Sequence, residues 1–426
     1  MHRFFSFKKY SGLFFLFLIF LNQQVLFAQI SDKEESIEQK IESIAEKLDN
    51  PEIDYTSLIE QLYYFQEHPI NLNYATREEL QQLYLLNDLE INSLLNHIEK
   101  NGKLLSIYEL QTVDGFNLST INKILPFVKV SEDFDSQDLS MKNLLSHGQN
   151  DITLREDQVL QKQKGYLPAD SNSSPNSRYL GSPQKIHARY RYNYGNRISI
   201  GITAEKDEGE QFFKGTEKQG FDYYSAHFYL NNYKKIKALA IGDYQLSYGQ
   251  GLVLWTGLAF DKTSDAISVK KNSLGIRPHT SVDENRFMRG IAATINLGMI
   301  EVTGFVSHKK IDGTALSRDT LTDNVNSVSY LQTSGYHNTL SLIADKHSVS
   351  QTVFGGNATY KTKKLSIGIT SASTILGTDL TITPTYYNQF EFSSKSISTI
   401  GLDYNYAIRN LNFFGEAAAS DNGGFT

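Results

Sequence analysis

The chain has 426 residues, a formal net charge of −6 and no cysteine. A chain of this length is expected to hold two or more structural units, although a single large β unit is also allowed. The lack of cysteine excludes disulfides, cysteine-ligated zinc, a thiol nucleophile and a lipidated N-terminal cysteine. The mild negative charge provides no general attraction to nucleic acid.

Residues 1–28 have the pattern of a secretory signal peptide. Three basic residues precede the apolar run Leu13–Leu21, and we expect cleavage after Ala28. The alternative is an uncleaved membrane anchor, but the run is shorter than the roughly 20 residues that a spanning helix needs. The sequence therefore predicts an exported protein without an evident transmembrane helix in its mature part.

Residues 29–68 are predicted to form helices, because apolar residues recur at helical spacing between charged ones. Asn50 and Pro51 interrupt the pattern, and a second helix follows with Leu58 and Leu62 on its apolar stripe. We interpret this stripe as packing rather than as a surface for partner recognition.

Residues 69–130 contain an internal repeat in which the segment from Glu79 aligns with the segment from Glu109. Each copy is predicted to form a helix, a tight turn and a second helix. Thr76 with Glu79, and Ser106 with Glu109, have the spacing of capping boxes, which mark two helix starts.

After a polar linker at residues 131–150, we predict a β region over residues 151–426. His187–Tyr194 and Arg197–Glu205 alternate apolar and polar residues around a turn signal, which predicts a β-hairpin. Similar alternating segments recur along the rest of the chain, and several are joined by very short polar turns.

The β region has two interpretations. An outer-membrane β-barrel alternates lipid-facing apolar residues with lumen-facing polar ones, while a secreted soluble β domain would alternate as well. The signal peptide, the polar strand face and the 25 Tyr and 25 Phe, many near strand ends, favour the barrel. Because the chain ends on a turn and a barrel must close, we expect the barrel to be incomplete here. The predicted fold class is therefore α + β multidomain: an N-terminal all-α module followed by an antiparallel transmembrane β-barrel.

Three motifs within residues 69–130 are distinctive, namely PINLNYATREEL, NGKLLSIYELQTVDGF and LPFVKV. With these motifs, the segment resembles the paired helix-hairpin-helix domain of the competence-protein type, which binds DNA without sequence preference. Together with motifs such as GDYQLSYGQGLVLWTG, the whole chain is similar to Bacteroidetes-type proteins in which this domain precedes a long β-barrel-like region. The resemblance implies an architecture and an outer-membrane location more than an activity.

The resemblance also implies where DNA phosphates would be contacted: at Gly115, Phe116 and Asn117 of the second hairpin, and at Lys123 on the helix that follows. In the DNA-binding form each hairpin reads glycine-apolar-glycine, because glycine allows positive φ and close approach of the backbone to phosphate. Here Asn117 replaces one glycine, and residues 51–130 carry five Lys or Arg against eleven Asp or Glu. A phosphate-binding surface should be basic, so we expect this module to make protein contacts and keep DNA binding as the alternative.

Four charged residues, Arg189, Arg191, Glu205 and Asp243, lie on the polar strand faces. Either they line a lumen and select solutes, or they pair with one another inside a plugged barrel. We interpret the carboxylate-rich segment Glu205–Glu210 as a solvated hairpin turn rather than a calcium site.

The segment GDYQLSYGQGLVLWTG has no lysine after its glycines and is not a phosphate loop. Its glycines are expected to mark bends or close approach inside a barrel.

We find no spacing of metal ligands, nucleophile motif or cofactor motif, so we predict no catalytic, metal or cofactor-binding residues and no enzyme activity. The expected protein is an outer-membrane barrel with a periplasmic helical module, acting in transport or as an envelope scaffold. Its expected partners are outer-membrane lipid and a periplasmic or envelope protein. DNA uptake through the helix-hairpin-helix module is the first alternative, and a secreted soluble β-domain protein is the second.

Overall fold

The fold is taken from a computed structural model of the chain. The described residues are 56–131, 141–168, 177–257, 269–318, 325–362, 364–383, 385–386, 391–408 and 411–426. The predicted signal peptide and the first part of the predicted 29–68 helices lie outside them. The chain forms two compact units, one mainly helical and one built on β-sheet.

The helical unit packs its helices on leucine and isoleucine side chains, and Leu58 and Leu62 are buried as predicted. Its α-helices are α1 (Thr56–Glu67), α2 (Arg77–Gln81), α3 (Asp88–Asn101) and α4 (Leu118–Ile124), with 3-10 helices at Ile107–Thr112 and Leu125–Phe127. The short strands β1 (Ile70–Asn71) and β2 (Val128–Lys129) pair in parallel, which joins the two ends of the predicted repeat.

The two copies of the repeat begin differently. The Thr76 hydroxyl accepts a hydrogen bond from the Glu79 backbone N–H at 3.2 Å, and the Glu79 carboxylate accepts one from the Thr76 backbone N–H at 2.8 Å. This capping box is confirmed. The one predicted at Ser106 is wrong, because Ser106 makes no side-chain cap and Glu109 instead accepts from the Leu105 backbone N–H at 3.2 Å.

The β unit is built on one antiparallel sheet whose neighbours are mostly consecutive along the chain. In spatial order it runs β17-β16-β14-β13-β10-β9-β7-β6-β5-β4-β3, and β8 pairs with β7. The strands are β3 (Gln149–Gln158), β4 (Gln184–Tyr194), β5 (Ile198–Lys206), β6 (Tyr223–Tyr233), β7 (Ile236–Ser247), β8 (Gly275–Pro278), β9 (Met288–Asn296), β10 (Ile300–Ile311), β13 (Val349–Lys361), β14 (Leu365–Leu376), β16 (Ser396–Ile408) and β17 (Leu411–Ser420). All the alternating segments predicted from sequence form strands, and the hairpin at residues 195–197 is confirmed.

Smaller elements accompany this sheet. The strands β11 (Gly313–Arg318), β12 (Val325–Leu331) and β15 (Asp379–Leu380) form a separate three-stranded sheet. Helix α5 (Met141–His147) lies in the predicted linker, and α6 (Leu340–Asp345) lies between β12 and β13.

The large sheet is open within the part of the chain that the structure describes, since β3 and β17 form its two edges. The strands of the predicted barrel are therefore present, but their closure is not. Among the described residues, no helix is both long enough and apolar enough to cross a membrane.

The connections at the two ends of the sheet differ in length. At one end, which we call the short-turn end, β4–β5, β6–β7, β9–β10, β13–β14 and β16–β17 are joined by two or three residues each. At the other, the long-loop end, the connections span residues 159–183, 207–222, 248–287, 312–348 and 377–395. Because successive strands are antiparallel, every long connection emerges at this second end.

The two faces of the sheet also differ. One face, which we call the outer face, exposes Ile241, Ile291 and Val306 side by side on β7, β9 and β10, and Ile369 beside Leu402 on β14 and β16. The opposite, inner face is covered and carries residues such as Asn193, Thr203 and Thr370. The alternation of polar and apolar residues predicted from sequence is thus realised with the apolar side chains exposed.

Candidate functional site: a folded-in loop on the inner face

A loop that follows β7 lies against the inner face of the sheet. We call residues Tyr248–Gly257 the inner loop. Gly249 and Gly251 take positive φ values of 59° and 87°, which glycine adopts without the steric cost of a Cβ atom. These glycines turn the chain back immediately after the strand, as the glycine-rich sequence predicted.

The inner loop is held by Glu416 on β17. The Glu416 carboxylate accepts hydrogen bonds from the backbone N–H groups of Gln250 at 2.6 Å and Leu252 at 3.0 Å. A Cβ atom at Gly249 would lie 2.7 Å from the carboxylate carbon, so a larger residue would displace it. Sequence reasoning missed Glu416, because a single glutamate in a strand carries no local signal of a partner 166 positions away.

The contact between the inner loop and Glu416 requires the sheet to be strongly curved. Six strand spacings of about 4.8 Å separate β7 from β17 along the sheet, which is about 29 Å. The three residues from Ser247 at the end of β7 to Gln250 span at most about 11 Å. Even with a glutamate side chain added, the loop reaches Glu416 only if the inner face is concave.

The inner loop fills part of this concave face with apolar side chains. Leu254 and Tyr248 belong to a buried cluster with residues of β7, β9, β10, β13 and β14, and Val253 packs against it. A Cβ atom on Gly401 of β16 would lie 2.5 Å from Val253 Cγ2, so glycine is needed for this approach. The inner face, which was predicted to be polar, therefore also carries an apolar cluster beneath the inner loop.

Of the four charged residues predicted to lie on the polar strand faces, Arg189, Glu205 and Asp243 are buried and Arg191 is partly buried. Glu205 binds Lys185 at 2.9 Å, and Asp243 holds Arg289 through two hydrogen bonds of 2.7 and 2.8 Å. Arg191 lies 3.7 Å from Asp151, and Arg189 donates to the Thr280 carbonyl at 3.3 Å. Glu205, Asp243 and Arg191 therefore each lie beside a residue of opposite charge, and Arg189 is held by a backbone carbonyl.

A second polar assembly, which we call the loop cluster, joins two connections at the long-loop end. The His337 side chain is 2% exposed and lies between Asp222 at 2.6 Å and Asp312 at 2.8 Å. Lys346 binds Asp222 at 2.7 Å, and the Glu210 carboxylate accepts from the His337 backbone N–H at 2.7 Å. Since Glu205, Asp207 and Glu210 are all buried, our interpretation of Glu205–Glu210 as a solvated turn is wrong.

The electrostatics of the loop cluster fix the charge of its histidine. Burial alone would lower the pKa of His337, but hydrogen bonds to Asp222 and Asp312 and their charges raise it to about 10. Burial and the neighbouring Asp222 raise the pKa of Glu210 to about 8. With both aspartates as partners, His337 is therefore an imidazolium that donates from both ring nitrogens.

The hairpin residues expected to contact DNA lie on the helical unit in a conformation that differs from the expected one. Gly115 has φ +85°, and a Cβ atom there would meet nothing within 4 Å. Asn117 is not left-handed: it is the N-cap of α4, and its side chain accepts from the Thr120 backbone N–H at 2.8 Å. The Phe116 backbone N–H donates within the turn to Val113, and Lys123 is exposed on α4.

No protein-family model and no curated protein matches the chain. Two solved structures are similar to it at low overlap. A porin has a TM-score of 0.28 and 11% identity, with 60% of each chain covered, so the match spans 60% of the porin's length. A loop-deletion variant of OmpT, an outer membrane protein of Vibrio cholerae, has a TM-score of 0.24 and 8% identity, over 66% of this chain and 85% of that one.

Proposed function

We propose that the chain is an outer-membrane β-barrel protein in which the inner loop restricts the passage of solutes. The observation that carries the proposal is the outer face of the large sheet, where Ile369 and Leu402 lie side by side and are each 51% exposed. Soluble proteins rarely expose contiguous apolar surface on this scale. Lipid would cover it, and the covered polar face would line the pathway.

The ends of the strands support the same proposal. Outer-membrane barrels have short periplasmic turns, longer extracellular loops and aromatic girdles at both interfaces. The short-turn end carries exposed aromatic side chains at Tyr233, Tyr360, Tyr406 and Phe413. In this orientation the loop cluster faces the outside, and residues 29–130 are proposed to lie in the periplasm and bind an envelope protein.

An arginine substitution on the outer face tests whether this face lies in a lipid bilayer. Ile369→Arg should destabilise a barrel in lipid by roughly 2–4 kcal/mol if the site is near the bilayer midplane, and much less in a soluble protein. The readout is the heat-modifiable gel migration of the full chain in outer-membrane fractions, with Ser371→Arg, nearer the strand centre on the same face, as a second position. Recovery of the wild-type chain only in the soluble periplasmic fraction would overturn the proposal.

Planar bilayers test the passage of solutes. We expect the reconstituted full chain to give small ionic currents, and Glu416→Ala to give larger ones because the inner loop loses its anchor on β17. Identical currents from both proteins would show that the inner loop does not restrict passage, and no current from either would favour a scaffold role.

DNA binding by the helical module is the second candidate. It is favoured by the positive φ of Gly115 and the open space around it, and opposed by the acidic charge of residues 51–130. A gel-shift titration of the full chain with duplex DNA at low salt tests it, with Lys123→Gln as the variant. Absence of a shift at low salt would remove this candidate.

A further inference from the structure

The short-turn end of the large sheet is basic and the long-loop end is acidic. The five short connections contain six Lys or Arg and no Asp or Glu. The five long connections contain thirteen Lys or Arg against sixteen Asp or Glu. The described cations of the short connections are Arg197, Lys234, Lys235 and Lys364, which we call the basic rim.

The acidic residue beside the basic rim is already neutralised. Glu301, near the start of β10, binds Lys237 at 2.7 Å and Lys361 at 2.9 Å. Two lysines therefore share one carboxylate near the short-turn end. The group of Glu301, Lys237 and Lys361 keeps a net positive charge. Lys234 and Lys235 themselves are exposed in the turn between β6 and β7.

The basic rim lies next to the exposed aromatic side chains of the same end. The Lys234 ammonium is 5.2 Å from the centre of the Tyr233 ring. Tyr406 and Phe413 pair across β16 and β17 with stacked rings 6.5 Å apart. Aromatic rings at this position lie at the level of the lipid headgroups, so the cations just beyond them lie where headgroup phosphates are.

We infer that the basic rim binds anionic phospholipid headgroups in the leaflet that borders the short turns. The inference rests on the proposed function in one respect, since it needs the sheet to belong to a barrel in a bilayer. Each Lys or Arg near an anionic membrane surface strengthens binding by about fivefold. Three or four such cations would therefore give a clear preference for anionic over zwitterionic lipid.

The test uses the full chain in nanodiscs made from equal amounts of phosphatidylcholine and phosphatidylglycerol. Native mass spectrometry measures which lipids stay bound after release from the disc. The variant Lys234→Gln/Lys235→Gln/Lys364→Gln removes three cations from the basic rim. The matched control Lys162→Gln/Lys214→Gln/Lys218→Gln removes three exposed cations from the long connections.

We expect the wild-type chain and the control to retain phosphatidylglycerol in several-fold excess, and the rim variant to lose most of this preference. Raising the salt concentration should reduce the preference, because exposed charges are screened. Equal retention of both lipids by the wild type, or equal loss in variant and control, would overturn the inference. So would a rim variant that loses duplex DNA binding while its lipid preference stays intact.

Heat-modifiable migration is recorded on the same samples. A chain that is folded in the nanodisc but shows no lipid preference contradicts only this inference. A chain that fails to insert contradicts the proposed function.

Discussion

The two ends of the large sheet use charged residues in opposite ways. At the long-loop end, Asp222, Asp312 and His337 are buried and bind one another. At the short-turn end, Lys234 and Lys235 project from a two-residue turn and are exposed. Buried charges must be paired to be tolerated, whereas exposed ones contribute little to folding. The charges of the long-loop end therefore stabilise the fold, whereas those of the short-turn end are available for binding molecules outside the protein.

The largest effect should come from removing His337. His337→Ala leaves Asp222 and Asp312 buried with one cationic partner fewer, and breaking a buried pair from one side costs about 3–5 kcal/mol. We expect the chain to unfold at markedly lower urea concentration, or the connection at residues 332–348 to become sensitive to protease.

The matched control is His308→Ala, because His308 is exposed on β10 and forms a hydrogen bond with the Thr352 hydroxyl at 2.9 Å. The control substitution should lower the free energy of unfolding by about 1 kcal/mol or less. A His337→Ala protein as stable as the control would show that the loop cluster does not hold the two long connections together.

The second-largest effect is expected at the inner loop, which also begins at the long-loop end. Glu416→Ala removes the acceptor for the backbone N–H groups of Gln250 and Leu252, and hydrogen bonds to a charged group are worth about 1.5–3 kcal/mol each. Trp255, the single tryptophan of the chain, lies in this loop and reports on it. We expect its fluorescence to shift to the red and its quenching by acrylamide to increase.

Glu156→Ala provides the control for this change, because Glu156 is exposed on β3. Unchanged Trp255 fluorescence in Glu416→Ala would mean that the apolar cluster alone holds the loop. The fluorescence of Glu416→Ala and its control therefore separates the contribution of the Glu416 hydrogen bonds from that of apolar packing.

The loop cluster should also loosen at alkaline pH. The pKa of His337 is raised from 6.5 to about 10, so its stabilising contribution is complete below pH 6.5 and lost as the pH rises through about 10. Ionisation of Glu210 around pH 8 adds a negative charge beside Asp222 and acts in the same direction. We expect cleavage at residues 332–348 to accelerate between pH 7 and 10, after correction for protease activity on a peptide. A His337→Gln chain should show a smaller acceleration, limited to the ionisation of Glu210 around pH 8, and a wild type with a flat profile would contradict the raised pKa.

The sequence predicted the strands well and the contacts between distant strands poorly. Alternation placed Arg189, Arg191 and Asp243 on the polar face, because the side-chain period of a strand is local information. It did not identify the partners Asp151 and Arg289, which depend on strand order and register. Nor did it identify the hydrogen bonds that Glu416 accepts from the inner loop, which depend on how the sheet curves. Glu205–Glu210 was misread for a related reason: a run of carboxylates has the composition of a solvated turn, and the lysine that neutralises Glu205 lies on another strand.

The smallest expected change in stability gives the sharpest test of the difference between the two ends of the sheet. Lys234→Gln/Lys235→Gln removes two charges from the basic rim, and surface substitutions of this kind usually change stability by less than about 0.5 kcal/mol. We expect the urea midpoint of this variant to match that of the wild type, while Lys346→Gln, which removes a cation bound to Asp222 at 2.7 Å, lowers it. A large loss of stability in the Lys234 and Lys235 variant would show that the rim supports the fold. The two ends would then use their charges alike, and lipid would not be needed to explain the cations at the short turns.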